Sequence, residues 1–583
     1  MSDCQMGGRK GKGCKSNIWI INGIIHEVLK SKNMKPIILQ IYDYKQMFDS
    51  IDLEKALSDL YDFGVNDETL ALLYKANHEI QMSVKTPSGL TERQTVKDIV
   101  LQGDTFGSIL ASVQVDSIGK EVMESDLGYL YKNKLPVALL GLVDDLIGVT
   151  DAGFKAVQMN EIINVKSAEK CLQFGVSKCK SMFVGKEKEK KSFLDLDLVV
   201  DKWDVEYKTD IITGEEEIIE TFQGQIPIGR TTEQKYLGFV LSSIGNNMAN
   251  INALKKKSIG IIKKITNKLE SLSLMNYYFE CSILFLNVML RASLLYASEC
   301  YYNLTEGQIR QIERIEESYL RQILRTGKGC PIVQIYLEVG QIPARFELQR
   351  LRLLFLKNIL QQDKESMSYK FFYLQVEQPT RGDWASTCFN DLKELEISES
   401  LDDIRLMSKS KFNEMLKQQT RNNAYKYLIG KKRSKGKEIS YSRIEMAEYL
   451  LPDNELTIEQ KQRLFAVRNK MVEIPSHFSS GNNDFLCICG DKESLSHIYS
   501  CDVLNENESE NIPYEKVYLN NVNEQTKILY KIEENLRKRE KYIDVQTDVK
   551  RNQKEINGKK RKISEQPCDQ EIDPLHCKKF SFG

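Results

Sequence analysis

Short runs of apolar residues along the chain predict several strands, and these runs end at polar residues. IILQIYDY, residues 37–44, has the length and composition of a buried strand that ends in polar side chains. VALLGLV and LIGV flank Asp144 and Asp145 and predict two short strands joined at the acid pair. YLGFVLSS, residues 236–243, predicts a further strand. The pattern indicates a sheet with carboxylates where its strands end.

Other segments repeat their apolar residues at helical spacing. IWIINGIIHEVLK, TFGSILASVQVDSIGKEVM and AVQMNEIINVKSAEKCLQFG predict helices between the strands. Ser50 and Asp52 can cap a helix that follows them. Beyond about residue 250 the pattern changes to long amphipathic helices, at 253–300, 305–326 and 343–363. This order of elements predicts an α+β fold.

Composition narrows the class of protein. A chain of 583 residues predicts three or four domains, and 41% hydrophobic with 28% charged residues is typical of soluble proteins. No run approaches the roughly 18 apolar residues of a membrane span, so no membrane partner is expected. The N-terminus lacks the apolar segment of a signal peptide, which predicts an intracellular protein. Thirteen scattered cysteines favour reduced thiols and a metal site over a disulfide framework.

The formal net charge is zero, but the charges are unevenly distributed. Residues 405–437 contain eleven Lys or Arg and one acid, whereas residues 195–220 contain ten Asp or Glu and two Lys. A basic segment can neutralise phosphates, and a solvated helix face has the same composition. The charge pattern alone leaves both interpretations of 405–437 open.

Asp144 and Asp145 raise a question of chemistry because their neighbours are apolar. Clustered carboxylates repel each other and tend to protonate unless a cation neutralises them. A second pair, Asp402-Asp403 in SESLDDIR, lies where acids are expected at a helix N-terminus and needs no metal. Asp43 also ends an apolar strand, so Asp43 and Asp144 could bracket two Mg²⁺ ions about 4 Å apart if the strands are neighbours.

Five blocks occur in a set order between residues 5 and 365. They are DYKQMFDS, LQGDTFGSILAS, LVDD, LQFGVSKCKSMFVG and the YLG strand. In this order they resemble the reverse transcriptases of retrotransposons without long terminal repeats, the LINE-type elements. The resemblance implies a right-hand polymerase palm with a helical thumb. It also implies RNA-directed DNA synthesis with two Mg²⁺ ions, for which Mn²⁺ can substitute, and as partners an RNA template, a DNA primer or target, and dNTPs.

The resemblance assigns roles to residues that match the blocks. Asp43 and Asp144 would hold the metal ions and Asp145 would assist; Lys178, with Lys180 as the alternative, would aid the departure of pyrophosphate. Phe48 would pack against the sugar and select deoxynucleotides. The remaining assignments are Gln102 and Gly103 beside the template and nucleotide, Tyr236, Leu237 and Gly238 as the primer grip, and Arg9 and Lys10 at the triphosphate.

The same resemblance predicts the domain order. The family's finger blocks should precede QMGGRKGKG, so the chain is expected to be N-terminally truncated. The expected segments are partial fingers (1–36), palm (37–186), an insertion hairpin (187–230), primer-grip strands (231–248), thumb (249–365), a basic helical region (366–480), a zinc knuckle (481–510), and a helix followed by a disordered basic tail (511–583).

Cysteine and histidine gather in CICGDKESLSHIYSC. Cys487, Cys489, His497 and Cys501 have a C-x-C-x7-H-x3-C spacing, which suits a closed tetrahedral zinc site, and the alternative is three free thiols and a surface histidine. The cluster resembles the CCHC element downstream of LINE-type polymerases and predicts a nucleic-acid-contacting knuckle. GKKRK at 558–562 predicts a nuclear-import signal, in a tail expected to be disordered beyond about residue 540.

Two other functions fit parts of the pattern. A catalytically inactive remnant would bind nucleic acid without synthesis, and the absent finger blocks favour it. A group II intron maturase would use the same fold in RNA splicing, and the cluster from Cys487 to Cys501 argues against it. Intact Asp43, Asp144 and Asp145 favour the polymerase.

Overall fold

The computed structural model describes most of the chain. It covers residues 2–31, 35–98, 100–101, 106–209, 216–271, 277–432, 441–469, 471, 487–489, 491, 494–505, 512–519 and 521–561. The chain divides into two compact units. The first comprises residues 1–323, 335–433 and 443–446, and the second comprises residues 324–334, 434–442 and 447–583.

The strands and helices have the following bounds. The strands are β1 (Ile37–Tyr42), β2 (Ile80–Met82), β3 (Lys85–Thr86), β4 (Gly89–Leu90), β5 (Gln94–Val96), β6 (Tyr129–Tyr131), β7 (Leu135–Val137), β8 (Leu139–Leu142), β9 (Asp145–Thr150), β10 (Lys180–Val184), β11 (Val199–Thr209), β12 (Glu216–Pro227), β13 (Gly229–Arg230), β14 (Glu233–Tyr236) and β15 (Phe239–Ser242). The helices are α1 (Cys14–Lys30), α2 (Leu53–Asp62), α3 (Asp67–Asn77), α4 (Gly107–Glu124), α5 (Gly153–Glu169), α6 (Lys190–Leu194), α7 (Met248–Ser271), α8 (Tyr278–Phe285), α9 (Ala292–Leu294), α10 (Glu306–Ile323), α11 (Ile332–Glu338), α12 (Ala344–Leu360), α13 (Met367–Glu377), α14 (Trp384–Glu394), α15 (Leu401–Leu406), α16 (Lys409–Lys432), α17 (Ile458–Arg468), α18 (Leu495–Ser500) and α19 (Val522–Arg561).

A five-stranded sheet lies at the centre of the first unit, in the order β13-β10-β1-β9-β8. β1 is the middle strand and runs antiparallel to β9 and β10. All six of its residues are buried, as the apolar run predicts. Gln40 is the one amide in this strand, and it keeps its hydrogen bonds because its side-chain nitrogen donates to the Ala156 carbonyl at 2.7 Å. Asp43 directly follows β1, so it lies in the middle of the edge of the sheet that is formed by the strand ends.

The predicted helices surround this sheet, and the mixed architecture confirms the α+β class. α1 contacts β8 and β10, α4 contacts β8, and α5 contacts β1 and β9. The Asp52 side chain accepts a hydrogen bond from the backbone N–H of Lys55 at 3.1 Å, which confirms Asp52 as the cap of α2, whereas the Ser50 hydroxyl donates to the Lys45 and Gln46 carbonyls instead. β11 and β12 pair over their whole length as a hairpin in the predicted insertion region.

Three local predictions are wrong. Residues 236–243 are not one strand, because left-handed residues at 237 and 238 turn the chain between β14 and β15. Residues 253–300 are not one helix, since Tyr277 lies in a turn just before α8 begins at Tyr278, and a π-helical turn follows at Leu286–Arg291. The tail was predicted to be disordered from about residue 540, yet α19 continues to Arg561, and about half of its residues after 540 are Lys, Arg, Gln or Glu, which have high helix propensity.

Tyr278–Cys300 is long and apolar enough to cross a membrane, judged by length and composition alone. The expectation that no run approaches this length is therefore also wrong. In the structure 44% of the most apolar stretch is buried, and the segment includes Arg291, whose guanidinium lies 2.6 Å from a Glu316 carboxylate oxygen. Core helices of soluble proteins meet the same criterion, so this segment is weak evidence for a membrane.

The second unit is organised around α19. Ile528, Leu529 and Ile532 on this helix are fully buried. Asn535 donates a hydrogen bond to the Ile498 carbonyl at 2.8 Å, which ties α18 to α19. Since α18 carries His497, this packing positions part of the predicted zinc cluster.

Candidate catalytic site and metal cluster

Three carboxylates lie at one edge of the central sheet. β8 and β9 form a hairpin in which Leu142 pairs with Asp145, so Val143 and Asp144 form its two-residue turn. β1 lies beside β9 with Tyr42 paired to Leu146, and Asp43 is the next residue along the strand direction, towards Asp145. Neighbouring strands thus bring Asp43 to the acid pair across a separation of about one hundred residues.

The electrostatics show that these acids influence each other. Burial raises the pKa of Asp145 to about 6, and the charges of Asp144 and Asp43 add to the effect. Burial also raises the pKa of Asp144, again with a contribution from Asp43. Lys178 opposes both shifts. A half-buried group of carboxylates that repel each other is a site where a bound cation gains free energy.

Lys178 provides a positive charge at this site. Its ammonium donates to Asp43 Oδ1 at 2.8 Å, and this hydrogen bond raises the pKa of Lys178. The chain reaches this position through Gly175, whose backbone N–H donates to the Asp43 carbonyl at 2.8 Å. A Cβ on Gly175 would lie 2.9 Å from Asp43 Oδ1, so a side chain there would displace the carboxylate. Lys180 instead begins β10, and its Nζ lies beside Gly229.

The predicted primer-grip residues form the turn between β14 and β15. Leu237 has a φ of +48° and Gly238 a φ of +80°. Two consecutive left-handed residues are typical of tight turns that join antiparallel strands. The Tyr296 hydroxyl donates to the Leu237 carbonyl at 2.8 Å, and a Cβ on Gly238 would lie 3.1 Å from the Tyr296 ring. Tyr296 therefore packs against this turn and donates a hydrogen bond to it.

Asn17 connects that turn to the acid hairpin. Its side-chain nitrogen donates to the Tyr236 hydroxyl at 3.3 Å and to the Gly141 carbonyl at 3.1 Å. Burial raises the pKa of Tyr236, and Asp145 adds to the shift. The structure thus brings together two groups of residues that the sequence placed about ninety positions apart.

Among the other predicted site residues, Phe48, Arg9 and Lys10 have surroundings that the structure describes. Phe48 lies in the 3-10 turn Met47–Ser50 and is partly buried against the hydrophobic core. Arg9 and Lys10 line a cavity of about 880 Å³ with α12 residues, and none of the three acids lines it. Gln102 and Gly103 lie outside the described residues.

The predicted zinc ligands form a compact cluster in the second unit. The ligand atoms of Cys487, Cys489, His497 and Cys501 all lie within 4.8 Å of one another. The Cys487 and Cys501 sulfurs are 3.7 Å apart, and Cys489 Sγ lies 3.1 Å from His497 Nε2. Two thiolates bound tetrahedrally to zinc at about 2.3 Å lie about 3.8 Å apart. These four residues could hold a zinc ion.

Comparisons with known proteins were made for the whole chain. No family model and no curated protein matches it. Among solved structures it is similar to telomerase from Candida albicans in complex with a TWJ fragment of telomeric RNA, at 13% identity and a TM-score of 0.25, over 63% of this chain and 53% of that chain. Telomerase from Candida tropicalis with the same RNA fragment gives 11% identity and a TM-score of 0.29, over 70% and 53%. The chain spans about half the length of these telomerase chains. Similarity of this extent assigns no function.

Two residues that bond the acid hairpin, Gln5 and Asn17, were not predicted from the sequence. Asn17 had a detectable signal in the sequence, because it is an amide on a helix face that is otherwise apolar. The structure shows that it is fully buried. Gln5 had none, since it precedes any periodic segment and its partner lies 138 residues away. Only the tertiary structure shows that Gln5 contacts the turn before Asp144.

Proposed function

We propose that the chain is an RNA-directed DNA polymerase of the kind that LINE-type retrotransposons encode, with a right-hand polymerase fold. The observation that carries this proposal is the meeting of Asp43 with Asp144 and Asp145 at one edge of the sheet. The charge of Asp43 contributes to the raised pKa of both hairpin acids. The order of the sequence blocks from Asp43 to the YLG turn supports the same function.

In this proposal two Mg²⁺ ions, or Mn²⁺ in their place, would activate a primer 3′-hydroxyl and stabilise the charge on the nucleotide phosphates. Asp43 and Asp144 would hold the ions with help from Asp145. A cation bound at Asp43 competes with the Lys178 ammonium, which occupies the same carboxylate oxygen. Lys178 is two-thirds exposed, so its side chain is free to turn towards a departing pyrophosphate. It would protonate or neutralise that group.

Other surfaces fit the proposed partners, an RNA template, a DNA primer and dNTPs. α7 exposes several lysines that have no ion-pair partner among the described residues, and they suit contacts with a duplex backbone: Lys255, Lys256, Lys257, Lys263 and Lys264. α16 falls within the basic segment 405–437 and would add phosphate contacts. Phe48 would limit access of a 2′-hydroxyl. The segment 558–562 would direct nuclear import, although its last residue lies outside the described part of the chain.

Primer extension tests the proposal. The full chain should add dNTPs to a DNA primer annealed to RNA when Mg²⁺ or Mn²⁺ is present. The rival function is that of an inactive remnant which only binds nucleic acid. If the chain binds the RNA in a filter or gel assay but extends no primer with either metal, the rival replaces the polymerase.

The zinc site has its own test. The purified full chain should contain about one zinc ion, and Cys501→Ser should lose it, because a closed structural site needs all four ligands. Cys388→Ser is the matched control, since Cys388 is a buried free thiol in α14 outside the cluster. Equal zinc content in Cys501→Ser and wild type would contradict this assignment.

A further inference from the structure

The turn that carries Asp144 has an unfavourable backbone conformation. Val143, its first residue, has a φ of +58°. Residues with a branched Cβ rarely adopt this left-handed region because the side chain crowds the backbone. Such a residue persists only where its surroundings hold it, and held residues of this kind cluster at functional sites. The question is which groups hold Val143.

Gln5 bonds both polar groups of the Val143 backbone. Its Oε1 accepts hydrogen bonds from the N–H of Val143 at 2.9 Å and from the N–H of Gly7 at 2.9 Å. Its Nε2 donates to the Val143 carbonyl at 3.2 Å. Gln5 is 1% exposed, so water does not replace these bonds. One amide side chain therefore satisfies the donor and the acceptor of a strained residue.

The segment around Gln5 is fixed to the same hairpin. The N–H of Met6 donates to the Gly141 carbonyl at 2.9 Å, and the N–H of Gly141 donates to the Cys4 carbonyl at 2.8 Å. These two bonds form a parallel bridge between Gln5 and Gly141, next to β8. The backbone thus places the Gln5 side chain opposite the turn, independently of the side-chain bonds.

Gly7 completes the enclosure of Val143. A Cβ on Gly7 would lie 2.9 Å from Val143 Cγ2 and 3.0 Å from the Val143 nitrogen. Glycine at this position allows the segment to approach the turn, and any larger residue would push it away. The approach and the hydrogen bonds act on the same residue.

We propose that Gln5 is a positioning residue for the proposed polymerase reaction: it holds Val143 in its left-handed conformation and thereby fixes the Asp144 carboxylate at the metal site. The side-chain hydrogen bonds of Gln5 go to the backbone of Val143 and Gly7, so Gln5 acts through the turn. The inference rests on the proposed function. Misplacement of a reacting group by about 1 Å can cost about 100-fold in rate, and the turn conformation sets the position of Asp144 on that scale.

Single-nucleotide incorporation by the full chain tests the role of Gln5. Gln5→Met fills the same space without the hydrogen bonds and should lower kcat about 100-fold, while KM for the dNTP stays near the wild-type value. Gln5→Glu, which keeps the acceptor oxygen, should fall between Gln5→Met and wild type. Gln375→Met is the matched control, because Gln375 is an equally buried glutamine whose amide bonds Tyr302 and Ala385 in another part of the first unit. A kcat for Gln5→Met equal to that of Gln375→Met overturns the proposal.

A rescue experiment separates positioning from general loss of structure. Glycine adopts a φ near +58° without the cost that valine incurs. The double variant with Gln5→Met and Val143→Gly should therefore have a kcat at least about tenfold higher than that of Gln5→Met alone. A loss of structure elsewhere would not respond to this second change. A double variant that is no faster than Gln5→Met contradicts the role assigned to Gln5.

Metal binding keeps the inference testable if the chain proves not to be a polymerase. Mn²⁺ titration followed by electron paramagnetic resonance measures binding at the acids without turnover, and Asp144→Asn identifies the signal that belongs to them. Gln5→Met should weaken that Mn²⁺ binding at least about tenfold, whereas Gln375→Met should not. Absence of primer extension with intact, Gln5-dependent Mn²⁺ binding would reject the proposed function alone. Unchanged Mn²⁺ affinity in Gln5→Met would reject the positioning role.

Discussion

Asp144-Asp145 and Asp402-Asp403 are the same dipeptide in two different settings. The first pair lies at a hairpin turn of the central sheet, where burial and the charge of Asp43 raise the pKa of both acids. The second pair lies in the first turn of α15. There the side chain of Asp403 accepts a hydrogen bond from the Ser400 hydroxyl at 2.6 Å and a second one from the Ser400 N–H. Together the two bonds lower the pKa of Asp403.

The difference shows that the surroundings decide what an acid pair does. At α15 the Asp403 carboxylate accepts a hydrogen bond from the Ser400 N–H, and both acids complement the positive end of the helix, so the charged form is stable without a cation. At the hairpin turn each carboxylate meets another carboxylate, and the described partner that offsets the charge is Lys178. A bound cation would therefore stabilise the charged form of the first pair, whereas the second pair does not need one.

The largest expected effect is on catalysis. Asp144→Asn should lower primer extension about 1000-fold, because it removes a carboxylate from the place where charge must be neutralised. Asp402→Asn should leave the rate within about twofold, as surface substitutions normally do. Rates of single-nucleotide incorporation for the two variants check this contrast. Similar losses in both variants would remove the distinction between the two pairs.

Much of this contrast could be predicted from the sequence. The apolar runs before Asp43 and around Asp144 place all three acids at strand ends, and the setting of Asp402 predicts a helix start. These inferences succeed because apolar runs and helix starts can be recognised within a short stretch of sequence. Ser400 and Asp403 form the capping box of α15, which is also readable within four residues.

The contacts that join distant segments could not be predicted in the same way. Lys178 and Lys180 are both plausible by spacing, and only the position of Gly175 against Asp43 and the start of β10 show which ammonium reaches the acid. Gln5 and its strained partner Val143 depend on a pairing over 138 residues that leaves no periodic trace. Hydrogen bonds of this kind are set by tertiary packing and not by the pattern along the chain.

The next effect in size concerns the lysine that partly neutralises the first pair. Lys178→Ala should lower kcat about 100-fold, the usual scale for loss of a proton donor in the transition state. Lys180→Ala should change kcat much less, because Lys180 Nζ lies beside Gly229 and forms no ion pair with an acid among the described residues. Single-turnover incorporation with saturating dNTP and metal compares the two. An equal or larger loss in Lys180→Ala would transfer the proposed role to that lysine.

The smallest expected effect is on stability, and it has opposite signs at the two pairs. The pKa of Asp145 is raised from 3.8 to about 6, so without metal the folded state keeps a proton that the unfolded state releases. Stability should therefore fall between about pH 4 and pH 6, and Asp145→Asn should be more stable than wild type at pH 7 by about 2 to 3 kcal/mol.

The pKa of Asp403 is lowered, so its contribution to stability is present above its ordinary pKa and is lost as the pH falls through its folded pKa. Asp403→Asn should thus be less stable than wild type at pH 7, and the deficit should vanish in acid. Urea unfolding in the presence of a chelator, at several pH values, measures both differences. If Asp145→Asn gains no stability at pH 7, burial and the neighbouring carboxylates do not disfavour the charged form of Asp145, and the reason for expecting a cation there is lost.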